Sequence, residues 1–184
     1  MNNEQYQRTR QWNRWQVGDR VIFKGDGFVY KVLSRLLGGT WGWHMATLVE
    51  KDEVGWWLLD STGSGVGKKR FIINGFICED YDRPFRLYHW HDKTPDKNKV
   101  ARFIKERENE PYDYDAYLGT ILSEILTKVF RRPFRVVDRQ KHCWELAEEF
   151  DDFFGKPWCK RYQYPKITMF TELSGKPYYK YTVR

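Results

Sequence analysis

A chain of 184 residues, 41% hydrophobic, 18% aromatic and 31% charged, is long enough for one buried core and has a composition that argues against disorder. No run reaches the ~20 apolar residues of a membrane-spanning helix. The surplus of 32 Lys and Arg over 25 Asp and Glu, a net +7, favours anionic partners: nucleic acid, phospholipid surfaces or cell-wall polymers.

The first sixteen residues are polar and basic, with Arg8, Arg10 and Arg14 beside Trp12 and Trp15, and read as an arm ahead of a domain over 17–170. They lack the apolar core and cleavage site of a secretory signal, so a cytoplasmic location is expected, with particle association or another export route as the alternative. Residues 171–184 are read as a tail. Gly18-Asp19 turns into a strand over Arg20–Phe23, closed by Gly25-Asp26-Gly27. Phe28, Val32, Leu33, Leu36 and Leu37 then recur at helical spacing up to Gly38-Gly39.

Trp43–Glu50 and Trp56–Asp60 are β-prone runs joined by the charged link 51–55, a hairpin pattern. His44 opens the first strand and Asp60 ends the second. Counting outward from Asp52 and Glu53 places Asp60 across from about residue 45, within reach of His44 as a diagonal neighbour. Arg70–Ile73 and Phe85–Trp90 are further strand candidates, so an α+β domain with an antiparallel sheet of about four or five strands is expected. Helices follow: one with Thr94 as N-cap, Pro95 at the first helical position and an apolar face of Val100, Phe103 and Ile104; one over Tyr117–Phe130; and one over His142–Phe154, stopped by Gly155 and Pro157.

Several motifs fail on chemistry. Gly25-Asp26-Gly27 has two glycines of a dinucleotide fingerprint, but Tyr30 stands where close packing calls for a third. Thr62–Lys69, T-G-S-G-V-G-K-K, is out of register with a phosphate loop and reads better as a glycine-rich turn. His89 and His91 share one face of a strand without a third ligand at metal spacing. Cys78, Cys143 and Cys159 form no CxxC pair and suit neither a disulfide framework nor a zinc site. Neither a cofactor nor a metal is called for.

Cys143 opens its helix, where unpaired backbone N–H groups and the helix dipole stabilise a thiolate. It also shares a face with Ala147, Phe150 and Phe154, so a buried inert cysteine is the competing reading.

The run V-G-D-R-V-I-F-K-G-D-G-F, followed by a helix and G-G-T-W-G-W-H-M-A-T-L-V-E, resembles the opening of the circularly permuted NlpC-like hydrolases, the YiiX-type branch of the papain-like superfamily. The match lands on Gly18, Asp19, Phe23, Gly25 and His44. L-L-D-S-T-G-S-G-V is similar to the next family strand and puts Asp60 in its acidic position. P-Y-D-Y-D-A-Y-L-G resembles the family's Y-D segment, and K-H-C-W-E-L-A-E-E-F its cysteine helix, over roughly Val17 to Phe170. The chain departs from the pattern at Trp43, where serine is usual, and at Trp144, where a small residue is common.

The resemblance implies a permuted papain-like fold in which Cys143 is the nucleophile, His44 its base and Asp60 the orienting group. Trp43, Trp144, Tyr112 and Tyr114 would line the substrate site, with Tyr112 or Tyr114 assisting an oxyanion. The implied chemistry is acyl transfer through a thioester, as amide hydrolysis of cell-wall peptides or as lipid acyl transfer; the basic charge and the many aromatics favour the cell-wall amide, on an anionic or peptide/glycan substrate. The alternatives are a non-catalytic module that retains the fold, in a larger particle for instance, and a nucleic-acid binder using the basic arm and its tryptophans.

Overall fold

The computed structural model describes residues 12, 14–25, 27–28, 31–32, 42–89, 93–112, 119, 122, 126, 129–130, 143–155 and 179–181. Most of the helices expected over 28–37 and 117–130 lies outside them.

The protein is α+β. Seven strands form one antiparallel sheet: β1 (Arg20–Lys24), β2 (Gly42–Lys51), β3 (Gly55–Thr62), β4 (Gly65–Ile73), β5 (Phe76–Ile77), β6 (Phe85–Tyr88) and β7 (Tyr179–Tyr181). Their order across the sheet is β5-β4-β3-β2-β1-β6-β7. Helices α1 (Lys97–Arg107) and α2 (Cys143–Phe153) and a single 3-10 turn (Glu79–Tyr81) accompany the sheet among the described residues.

The sheet is larger than the expected four or five strands. Strand β4 begins at Gly65 rather than Arg70, because only Gly63-Ser64 turn and the chain then pairs back onto β3 from Thr62↔Gly65 to Gly55↔Ile73. The glycines at 65 and 67 hide the alternation that would have revealed it. Strand β7, in the segment read as a tail, pairs Tyr181 with Phe85 and Tyr179 with Leu87.

The arm also needs correction. Trp12 and Trp15 are buried, and Trp15 stacks on Phe71 at 5.9 Å between ring centroids and meets Phe85 edge-on at 6.1 Å. Large aromatic area withdrawn from water outweighs the polar neighbours that made the segment look solvated.

Register assigns the faces, because directly paired residues project to the same side. Val21 pairs with Ala46 and Leu87, and Phe23 with His44 and Phe85. The same face continues through Leu48↔Leu58, Leu58↔Lys69, Asp60↔Gly67 and Thr62↔Gly65. Arg20 and Thr47 lie on the other face, where α2 docks: the buried Arg20 guanidinium donates to the Ala147 carbonyl at 2.9 Å, to the Thr47 hydroxyl and to the Asp151 carboxylate. Helix α1 braces α2 through Phe103 against Phe150 and Arg107 against Glu149 at 2.9 Å.

Both helices have local causes. The α1 N-cap is Asp96, whose carboxylate accepts from Lys99 N at 3.0 Å, in place of the expected Thr94. The Asp96 carboxylate satisfies an orphan N–H of the first turn directly, and Val100 and Phe103 then turn inward as the spacing predicts. Helix α2 ends at Gly155, which takes φ +76° as a C-terminal glycine does.

Candidate active site

Strand β2 brings His44 to the site beside an irregularity. The β1–β2 ladder pairs Phe23↔His44 and then Lys24↔Gly42, so Trp43 is an extra residue in β2. Such bulges bend the strand and re-aim the neighbouring side chain. A second register shift, between Leu48 and Glu50, sets the β2–β3 ladder at Thr47↔Leu59. Continued by one pair, it puts Asp60 opposite Ala46, one position from the sequence expectation, and leaves His44 as the diagonal neighbour.

That diagonal is closed by a contact: His44 Nε2 stands 2.7 Å from Asp60 Oδ1. The Asp60 carboxylate is fully buried, and the His44 side chain is 15% exposed. With Nε2 engaged, Nδ1 is the nitrogen left for sulfur, and the Cys143 thiol interacts with the His44 ring by charge and by hydrogen bond. Cys143 is the first residue of α2, held where it is by the Arg20 contacts one turn further along the helix. The three residues singled out by sequence thus come together, and each comes from a different element.

Burial pushes the His44 imidazolium towards losing its proton, but Asp60 and Cys143 outweigh that, and its pKa is raised from 6.5 to about 10. Asp60 shows the mirror image. Burial pushes its carboxyl up, while the charge and hydrogen bond of His44, the Tyr81 hydroxyl and Lys69 bring it below the usual carboxylate range.

The sequence reading missed Tyr81. Its hydroxyl donates to Asp60 Oδ2 at 3.0 Å, so the two carboxylate oxygens are divided between imidazole and phenol. Burial, then Asp60, push the phenol's pKa up and keep it a donor. Tyr81 comes from a single 3-10 turn, Glu79–Tyr81, and packs on Phe23 at 5.3 Å. Neither periodicity nor a motif marks it.

Tyr112 is half-buried in the segment after α1. Tyr114 and the side chains of Trp43 and Trp144 lie outside the described residues, as do His91 and Cys159. His89 binds Asp19 Oδ1 at 2.9 Å, while Asp19 Oδ2 accepts from Gln16 N at 3.0 Å. Gly18 N and Asp19 O bond to Leu48 at 2.7 and 2.9 Å, so the Gly-Asp pair serves to seat the start of β1 on β2. Among the described residues no group of three or more His, Cys, Asp or Glu is placed to hold a metal. None of the described helices is long and apolar enough to cross a membrane.

No protein-family model matches the chain, and no curated protein matches it.

Proposed function

We propose that the protein is a cysteine-dependent acyl-transfer enzyme of the permuted papain-like, NlpC-like type, acting through a thioester on an amide bond, with cell-wall peptides as the favoured substrate class. The observation that supports it is the Asp60–His44–Cys143 arrangement, in which a buried carboxylate holds one face of an imidazole whose other nitrogen is left for a helix-start thiol.

The steps follow from the proton positions. His44, as an imidazolium, holds the proton that the thiol gives up, and the thiolate of Cys143 attacks the carbonyl carbon, forming a C–S bond while the oxygen gathers negative charge. The backbone N–H of Cys143, at the first turn of α2, would donate a hydrogen bond to that oxyanion. Collapse breaks the C–N bond, and the His44 imidazolium gives its proton to the departing amine. Water, or an acceptor hydroxyl or amine in an acyltransferase, then attacks the thioester with His44 as base and restores the thiol. Asp60 holds the ring and its charge throughout.

A second reading, a non-catalytic module that retains the fold, is favoured by the burial of Cys143, which is only 2% exposed. The nucleic-acid reading loses its two stacking residues, since Trp12 and Trp15 belong to the core.

Iodoacetamide labelling across pH separates the first two. Cys78, whose thiol is pushed up chiefly by burial, is the internal reference. The enzyme reading expects Cys143 to label at neutral pH faster than Cys78 and to lose that advantage in His44→Ala. Labelling of Cys143 only on unfolding establishes the non-catalytic module instead.

A further inference from the structure

Beside the triad, the β3–β4 hairpin carries a group that the mechanism does not use. Lys69 Nζ donates to the Thr62 hydroxyl and to Ser64 Oγ at 3.2 Å, and the two hydroxyls are 3.0 Å apart. Among the described residues the ammonium meets hydroxyls here rather than a carboxylate. The register puts Thr62 and Lys69 on the same face as Asp60, with Lys69 opposite Leu58 and Gly67 opposite Asp60. Gly67 leaves that face open: a Cβ built there would find no atom within 4 Å. The charge of Lys69 acts on Asp60.

We infer that Lys69, with Thr62 and Ser64, forms a subsite for an anionic oxo group, a carboxylate or phosphate, carried by the substrate next to the bond that Cys143 attacks. This rests on the acyl-transfer reading and adds its substrate charge. A lysine ammonium is a point charge that suits either anion, and two hydroxyls supply donors that rotate to meet oxygen. Gly67, directly opposite Asp60, puts no side chain between the ammonium and the Asp60–His44 pair. The glycine-rich T-G-S-G-V-G-K-K run therefore has a chemical role in its side chains, although it lacks phosphate-loop spacing.

The test compares alkylation of Cys143 by iodoacetate and by iodoacetamide, an anion and its neutral analogue. The ratio of the two rates cancels changes in the thiol itself and reports recruitment of the anion. Lys69→Gln is expected to lower the ratio about fivefold, the size of one screened charge at close range, and Lys69→Arg to retain it. Lys68→Gln removes the same charge from the opposite face and should leave the ratio unchanged. Thr62→Val, which keeps the β-branched shape, should lower it as well and serves if Lys69→Gln fails to fold.

Protection of Cys143 from iodoacetamide by acetate or by inorganic phosphate, lost in Lys69→Gln, identifies which anion the subsite prefers. Rapid iodoacetamide labelling with a ratio that neither Lys69→Gln nor Thr62→Val moves overturns the subsite and leaves the acyl-transfer reading standing. A Cys143 that resists both reagents until unfolding removes the acyl-transfer reading itself, and the subsite with it.

Discussion

Tyr81 donates its hydroxyl to Asp60 Oδ2 at 3.0 Å, on the carboxylate oxygen that His44 does not use. The phenol and the imidazole therefore hold the carboxylate from two directions, and the orientation of His44 depends on a residue 37 positions along the chain that acts through Asp60. Tyr81 is a positioning residue. Tyr81→Phe keeps the ring against Phe23 and removes only the hydroxyl, leaving a buried carboxylate short of a donor at a cost of about 1–3 kcal/mol. Among the described residues the carboxylate is then fixed by His44 alone and is free to turn away from the ring. The expected result is a His44 titration midpoint moved down, read from its ring resonances, with Cys143 alkylation at neutral pH slowed. A variant that is destabilised but keeps the wild-type midpoint would make the hydroxyl purely structural.

His44 supplies a pH dependence with a definite sign. Its folded pKa, raised to about 10, lies above the ordinary 6.5, so the folded state binds the proton more tightly than the unfolded chain does. The contribution to stability is complete below about pH 6.5 and is lost as the pH rises through about 10. Urea unfolding should show stability declining across that window by on the order of a few kcal/mol, with the decline flattened in His44→Gln. Equal slopes in the two proteins would refute the assignment.

Arg20 and Asp151 join β1 to α2 as a fully buried ion pair. Burial lowers the pKa of Arg20, and Asp151 and Asp19 only partly offset that. Removing one partner strands the other charge, so Asp151→Leu alone should cost about 3–5 kcal/mol, whereas Arg20→Met with Asp151→Leu should recover much of the loss. Because α2 carries Cys143, the single variant should also slow alkylation by displacing sulfur from His44. Denaturant unfolding and the labelling rate check the two effects separately.

What could be read from the sequence divides along physical lines. His44, Asp60 and Cys143 were legible because each sits at a local boundary, a strand start, a strand end and a helix start, and the strand pair is linked by a short hairpin whose register can be counted. Trp15 does not show as core in the sequence because its burial depends on Phe71 and Phe85, roughly 55–70 residues away along the chain, and Trp12 goes inward with it by packing on Trp15. The first half of β4 looks like a turn in the sequence because glycines at 65 and 67 erase the period-two signal. Tyr81 was invisible for a related reason: its partner Asp60 is reached only once β3, β4 and β5 are in place.

Gly55 provides the sharpest test of the hairpin that presents the His44–Asp60 diagonal. A Cβ at this position would lie 1.6 Å from the Ile72 carbonyl oxygen and 2.5 Å from its carbon, both backbone atoms of β4 that cannot rotate away. The neighbouring turn is held by Asp52, whose Oδ1 accepts from Val54 N at 2.9 Å and Gly55 N at 2.8 Å while Oδ2 takes the Trp57 indole at 2.9 Å. Gly55→Ala must therefore push β3 away from β4, at a cost of about 3 kcal/mol from overpacking. Asp52→Ala keeps the interstrand fit and should lower the melting temperature less. If Gly55→Ala melts with the wild type, β3 and β4 do not approach as closely as described, and the register that sets Asp60 against His44 fails with them.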